Sequence, residues 1–397
     1  MQKKIGIVVD NDFDYDVRVQ KEVRVLTEAG YDVYVLCFSF EGKTTKSYDE
    51  ITVDRISISD KKKNILYFFN VRLPFYRQLW SVNIRRFIEK YELTKLHVHD
   101  LYLAMPARDA INKAGKDVML VVDLHENYPD ALVSYNWTKG TLRNFLSNPD
   151  KWKEWEFKYL KAADKIVVLS DHYRDQLIEK YPSLNKKSFY VYPNTIDIKR
   201  FEEFPVDYNK PRIFSEVTLF YFGVVAERRG VFDAIKATKQ ANDRGANVRL
   251  LIIGPVDNAD KIKFNDIITS DTYSSVVKYI PWIDVSELPD YLNISDICLS
   301  PIHKNPQHES GIANKIFQYM FGKKPLIVSN SIPQMELVID NNCGLHYTNQ
   351  NEFVEAILTL VNNPKLRDDM GMNGYKALVN KYASSQKDMA LLDVYND

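Results

Sequence analysis

Short, continuously apolar runs rich in β-branched residues recur along this 397-residue chain, and helical patterns fill the gaps between them. In the first half the runs are KIGIVVD (4–10), YDVYVLCF (31–38), LHVHD (96–100), VMLVVDLH (118–125), KIVVLS (165–170) and FYVYP (189–193). In the second half they are TLFYFG (218–223), VRLLIIG (248–254), VVKYIPW (276–282), ICLSP (297–301) and KPLIVS (324–329). Most do not alternate apolar with polar, so both faces of each strand have to be covered, as in a parallel sheet with helices on each side. The intervening segments supply the helices. Val19, Val23 and Leu26 share one helical face before Gly30 closes it, and Val231, Ile235 and Thr238 do the same after Gly230. Strand–helix–strand repetition of this kind predicts α/β architecture with two doubly wound sheets.

The break between the two series falls in a charged, aperiodic stretch containing Pro205 and Pro211. This divides the chain into an N-terminal domain (1–195), a linker (196–214), a second domain (215–375) and a final helical segment (376–397). Lys plus Arg equals Asp plus Glu, 53 each, which argues against a general nucleic-acid binder. Cys37, Cys298 and Cys343 lie far apart, without metal-type spacing, and read as small buried hydrophobes. The first residues enter a strand pattern at once, and no apolar stretch is long enough to span a bilayer, so a cytoplasmic or peripheral protein is expected. Residues 61–90 interleave Lys and Arg with Phe, Tyr, Leu and Trp, a mixture that suits a membrane surface or, equally, a packing helix with a solvated face.

Ligands of open parallel sheets bind where strands end and helices begin, because free N–H groups and the helix dipole favour anions there. The first strand is followed by DNDFDYDVRVQKE, with no glycine-rich loop, which disfavours dehydrogenase and P-loop chemistry. Asp16, Arg18 and Glu22 cluster there, either as a helix cap and a solvated face or as acceptor-side groups. His99 and Asp100 end the next strand, and Asp123, His125 and Glu126 end the one after, so two His/acid groups occupy successive strand ends. No GxSxG elbow accompanies them, and no metal is expected. In the second half, Arg228-Arg229-Gly230 opens a helix after a strand, and paired guanidinium groups at such a place suit a diphosphate. A later polar loop carries Glu309 and Gly311 before a helix that begins near Asn314 and contains Gln318.

These residues resemble the retaining nucleotide-sugar glycosyltransferases of family four, which have the GT-B fold. The likeness runs over DVRVQKEVRVLTEAGYDV, His99-Asp100-Leu101, Asp123-Leu124-His125-Glu126, LKAADKIVVLSDHYRDQL, VYPNTID, YFGVVAERRG, IPWIDVSELPDYLNISDICLSP and NKIFQYMFGKKPLIVS. It implies two Rossmann-like domains facing across a cleft, with the last helix crossing back to the N-terminal domain. The first domain would bind the acceptor, a glycan, lipid-linked or small molecule, through Asp16, Arg18, His99, Asp100 and Glu126. The second would bind the nucleotide-diphosphate sugar through Arg228, Arg229, Gly311, Ile312, Ala313, Asn314, Lys315 and Gln318. His125 and Glu309 would be the catalytic groups. Transfer would retain configuration, with no metal and no cofactor, the leaving diphosphate being stabilised by Arg228, Arg229 and a helix N-terminus. Three departures stand out. Val224 and Val225 replace the family's usual Arg after the glycine, Ser310 and Gln318 stand where two glutamates are usual, and Gly-x-Pro reads GKKP. They motivate a second reading, a glycosyltransferase-like partner subunit without catalysis.

Overall fold

The apolar runs become two parallel sheets. The computed structural model describes residues 3–42, 45–134, 138, 146–184, 188–382 and 385–396. The first sheet contains β1 (Lys4–Val8), β2 (Asp32–Phe40), β3 (Thr52–Ile58), β4 (Lys95–His99), β5 (Met119–Asp123), β6 (Lys165–Val168) and β7 (Phe189–Val191), in the order β3-β2-β1-β4-β5-β6-β7. The second contains β8 (Val217–Phe222), β9 (Val248–Ile253), β10 (Val277–Ile280), β11 (Ile297–Ser300), β12 (Leu326–Ser329) and β13 (Gly344–Tyr347), in the order β10-β9-β8-β11-β12-β13. Every neighbouring pair is parallel. The strand order reverses between β1 and β4 in one sheet and between β8 and β11 in the other. Loops leaving those strands diverge at their carboxyl ends, and open α/β sheets bind ligands there.

The chain divides into two units, Met1–Pro193 with Lys387–Asp397, and Asn194–Gln386. In the first, Ile5, Ile7 and Val9 pack with Val19, Val23 and Leu26 of α1 (Val17–Glu28), so the helical face read from the sequence is the one buried. Asp16 caps this helix by accepting the Val19 N–H at 3.1 Å, and Gly30, at φ +81°, ends it. Val8 faces the other way, in a core with Trp80, Ile84 and Phe87 from α3 (Phe75–Tyr91), the helix that follows α2 (Asp60–Phe68). The second unit repeats the plan. Leu219 and Tyr221 pack with Val231 and Ile235 of α4 (Val231–Asp243), while Phe220 packs on the other face with Ile316, Phe317 and Met320 of α5 (Asn314–Phe321).

Three features differ from the sequence expectation. Strands β3 and β13 are edge strands, half-covered or short, so they lack the continuous apolar run that marked the others. The stretch 196–214 goes with the second unit and is not a free linker, since Ile196 and Phe201 are buried in that unit's core. The final helical segment is in two parts. Helix α6 (Pro364–Ala377) belongs to the second unit. Helix α7 (Ser385–Asp393) leads into Leu391, Val394 and Tyr395, which are buried against the first sheet. All three cysteines are buried and free, and burial pushes the Cys37 thiol up to about 11 and Cys343 to about 12, so neither is a nucleophile at neutral pH.

Candidate active site

Each sheet carries a polar cluster where its strand order reverses. In the first unit the cluster is built by α1, β4 and β5. Residues two apart on a strand share a face, so His97 and His99 lie side by side, their rings stacked 4.8 Å apart. Residues four apart on a helix also share a face, and Arg18 and Glu22 come together from α1. Arg18 places Nη2 2.9 and 2.8 Å from the two oxygens of Asp123, and its Nε donates to Glu22 Oε1 at 3.0 Å. Its guanidinium also lies over the Tyr192 ring. Tyr395 reaches the same cluster and hydrogen-bonds His97 Nδ1 through its hydroxyl. His99 Nδ1 and His125 Nε2 are 2.7 Å apart.

Burial sets the protonation of these groups. The Arg18 guanidinium, with the neighbouring histidines, holds Asp123 well below the usual carboxylate range despite burial. Burial and the Asp123 charge push Glu22 up to about 8. Burial drives His99 well below its ordinary value and takes His125 down to about 3, with the Arg18 charge acting in the same direction. Both imidazoles are therefore neutral at pH 7. Asp100 adopts φ +76°, rare for a residue with a side chain, because its N–H is drawn to the Asp123 carbonyl at 2.8 Å. Its carboxyl accepts from the Tyr102 hydroxyl at 3.0 Å, and burial with the nearby Glu126 charge raises it to about 8.

One ligand-type atom each from Glu22, His97, His99 and Asp123 lies within 4.8 Å of the others. A cation already sits against both carboxylates, however: Arg18 supplies the positive charge this grouping needs. The sequence had singled out Arg18, His99, Asp100, His125 and Glu126, and four of them converge here: Arg18 and His99 bond directly into the cluster, Asp100 through its N–H and His125 through its ring. Glu126 acts on Asp100 through its charge, and Asp16 serves as the helix cap. His97, Tyr192 and Tyr395 were not foreseen. The His-x-His spacing of β4 was the available signal for His97.

In the second unit the site forms at the ends of β8 and β11. Gly223 and Gly254, at φ +132° and +142°, leave adjacent strands so close that a Cβ on Gly254 would stand 2.1 Å from the Gly223 carbonyl oxygen. Glu227–Arg229 makes one tight turn, and Gly230, at φ +68°, opens α4 where a Cβ would be 1.7 Å from the Pro301 carbonyl oxygen. The His303 N–H bonds the Arg228 carbonyl at 3.0 Å, so the loop after β11 is tied to this turn. Lys315, from the first turn of α5, lays its Nζ 3.7 Å from the centre of the Tyr221 ring, and a Cβ on Gly223 would be 3.1 Å from that nitrogen. Arg229 is close enough to disfavour a charge on Lys315, and Arg228 and Arg229 together disfavour one on His308. Burial, with Arg229 adding to it, lowers Lys315 well below its ordinary value, and burial with both arginines takes His308 down to about 4. Basic side chains gathered in this way would favour an added anion.

Of the remaining predicted residues, Ile312, Ala313 and Gln318 are half-buried along the same loop and helix. Gly311 is fully extended at φ −174°, a conformation any residue adopts, so its lack of a side chain is not a conformational requirement. Asn314 Oδ1 is buried without a hydrogen-bond partner at the start of α5, whose N-terminus has no side-chain cap. Glu309 is buried, and its Oε1 accepts the Ile332 N–H at 2.9 Å at the start of the helix Ile332–Asn341.

Residues 17–200 match the model of Glycosyltransferase Family 4, and residues 208–377 match that of Glycosyl transferases group 1. The chain belongs to the family-four glycosyltransferases, enzymes of glycosyl transfer with the GT-B fold. It is 23% identical over 246 residues to the capsular polysaccharide biosynthesis glycosyltransferase CapM of Staphylococcus aureus, a match spanning 59% of this chain and 62% of that protein. Among solved structures it resembles sucrose-phosphate synthase from Thermosynechococcus elongatus, with TM-score 0.75, 16% identity, and 99% and 98% of the two chains covered. It also resembles Anabaena Alr3699/HepE in complex with UDP, with TM-score 0.71, 13% identity and 99% of each chain covered. At these identities the structural likeness is one of fold.

Proposed function

We propose that the protein moves a sugar from a nucleotide-diphosphate donor to a glycan or lipid-linked acceptor, with retention and without a metal. The observation that carries this reading is the convergence of Arg228, Arg229 and Lys315 at the uncapped start of α5 and the turn before α4. A diphosphate placed among these three basic side chains would accept charged hydrogen bonds from them. Lys315 also bears on the family's missing arginine at Val224: its Nζ reaches the neighbouring Gly223. Asn314 Oδ1 awaits a hydroxyl donor, and Gln318 suits a ribose hydroxyl. The neighbouring HepE structure contains UDP, which agrees with a uridine donor.

In the reaction, the acceptor hydroxyl attacks the anomeric carbon as the bond to the diphosphate oxygen breaks, and that oxygen takes the acceptor's proton. The leaving group departs as nucleoside diphosphate, its charge held by the cations. Arg229→Ala, assayed across UDP-, GDP- and ADP-sugars, should weaken donor affinity by about 10- to 100-fold, as loss of a charged hydrogen bond does. Unchanged affinity for an active donor would remove Arg229 from the site.

Residues 61–90 support a membrane-facing acceptor. Tyr76, Trp80, Ile84 and Phe87 are spent on the core, but Ile65, Leu73 and Phe75 remain exposed near Lys61, Lys62 and Arg72. Among the described residues no helix is long and apolar enough to cross a membrane, so contact would be peripheral. Co-sedimentation with vesicles containing anionic lipid should fall when Leu73 and Phe75 are changed to Ser. Absence of binding by the unaltered protein would discard the idea.

A further inference from the structure

The buried part of the histidine cluster determines which nitrogen of His125 carries the proton. Glu22 and Asp123, both with side chains closed to solvent, share one guanidinium. One positive charge offsets one negative charge, and a second buried carboxylate charge without a partner is expensive. Arg18 gives two contacts to Asp123 and one to Glu22, so Asp123 keeps its charge and Glu22 holds a proton. The upward displacement of Glu22 to about 8 agrees.

Geometry then directs that proton. Glu22 Oε1 is occupied by Arg18 Nε–H. Glu22 Oε2 and His99 Nε2 are both buried without a hydrogen-bond partner, and they face each other at 3.6 Å, a gap that a small side-chain rotation closes. With the acid proton on Oε2, His99 Nε2 accepts. His99 therefore carries its own proton on Nδ1 and donates it to His125 Nε2 at 2.7 Å. What remains at His125 is an Nδ1–H. His125 is also the one member of this relay with an accessible side chain, 23% exposed where Glu22 and His99 are at 0%.

A second branch keeps the charge on Asp123. The Tyr395 hydroxyl, a proton donor because burial raises it well above its ordinary value, bonds His97 Nδ1 and leaves His97 Nε2–H facing Asp123 Oδ2 at 3.7 Å. The groups facing Glu22 and its relay are thus Arg18 and Asp16 from α1, His97, His99 and Asp100 around β4, Asp123 and His125 around β5, and Tyr192 and Tyr395.

We infer that Glu22 is a positioning residue which, through His99, makes His125 present an Nδ1–H donor to a substrate oxygen, so that His125 binds that oxygen and does not remove its proton. The inference rests on the reading of His125 as a substrate-facing group. Two measurements separate the two statements. The first is nitrogen-15 NMR of the unliganded protein, with the His125 signal assigned by His125→Gln. It should show a protonated Nδ1 and an unprotonated Nε2, and the reverse pattern overturns the inference whatever the enzyme transfers. The second is kinetic. Glu22→Gln can accept from Arg18 and donate to His99, so its kcat should stay well above that of Glu22→Leu, and its pH profile should lack the decline expected of the unaltered enzyme above pH about 8, where Glu22 ionises. Glu22→Leu should lower kcat about 10- to 100-fold, as loss of a supporting hydrogen bond does. A Glu22→Gln enzyme as impaired as Glu22→Leu also overturns the inference. If the NMR pattern holds but His125→Gln transfers sugar at the unaltered rate, the tautomer stands and the substrate-facing reading of His125 is lost.

Discussion

Lys315 is held with its ammonium group against an aromatic ring and within reach of the Arg229 charge. Burial first, and that like charge second, lower its pKa well below the usual 10.5, so the empty protein disfavours the charged form. A diphosphate in the site reverses the balance by adding negative charge. Donor binding should therefore take up protons. Calorimetric titration with UDP in buffers of different ionisation enthalpy should show net uptake in the unaltered protein and none in Lys315→Met, and buffer-independent heats in the unaltered protein would refute the linkage. Lys315 was legible in the sequence only as a position in a motif. Its reach to the Gly223 loop depends on two strands and a helix meeting, which no spacing along the chain records. His99 and His125 were legible because they sit at strand ends, where function is expected. His97 was not, because it lies inside the strand and joins the cluster only through the pleat that aligns it with His99.

Among the elements, the central strands were the easiest to read, since burial on both faces leaves a continuous apolar run. Edge strand β3 shows no such run, because polar residues, Asp54 and Arg55 among them, break the pattern. The last helix, α7, was foreseen as an apolar segment crossing back to the first domain, but the bonds that hold it there were not. Lys95 Nζ bonds the Tyr395 carbonyl at 2.7 Å, and Lys165 Nζ bonds the carbonyls of Val394 and Asn396 at 2.7 and 2.9 Å. Two lysines from separate strands thus satisfy carbonyls of the chain just beyond the helix end. With the segment pinned, Tyr395 reaches His97. Tyr395→Phe keeps the ring packing and strips the hydroxyl, leaving His97 Nδ1 buried without a partner. The cost should be about 1–3 kcal/mol in urea unfolding of the first unit. An unchanged midpoint would mean that the hydroxyl contributes nothing to holding α7.

For the whole molecule, zero net charge conceals an unusual distribution of protons. Glu22 and Asp100 each lie near 8 in the folded protein, against usual values of 4.5 and 3.8. Between pH about 4 and 8 the unfolded chain has released protons that the folded chain keeps, so these two groups reduce stability as pH rises, and their loss is complete above about 8. His125 and His308 act in the opposite sense. They lie near 3 and 4, against a usual 6.5, so the unfolded chain gains protons first as pH falls below 6.5 and stability drops on the acid side. From about 4.5 to 6.5 the two sets oppose each other. From 6.5 to 8 the two carboxyl groups lower stability, each by no more than about 1.4 kcal/mol per pH unit, while Lys315, held well below its usual value, acts in the opposite sense. Thermal denaturation of Lys315→Met, which removes that opposing group, should therefore show greatest stability at mildly acidic pH and a fall through neutrality to pH 8. Glu22→Gln, which mimics the protonated acid, should make that fall shallower. A curve that rises from pH 6.5 to 8 would show that Glu22 and Asp100 are ionised in the fold, and the single proton assigned to the shared Arg18 cluster would have to be withdrawn.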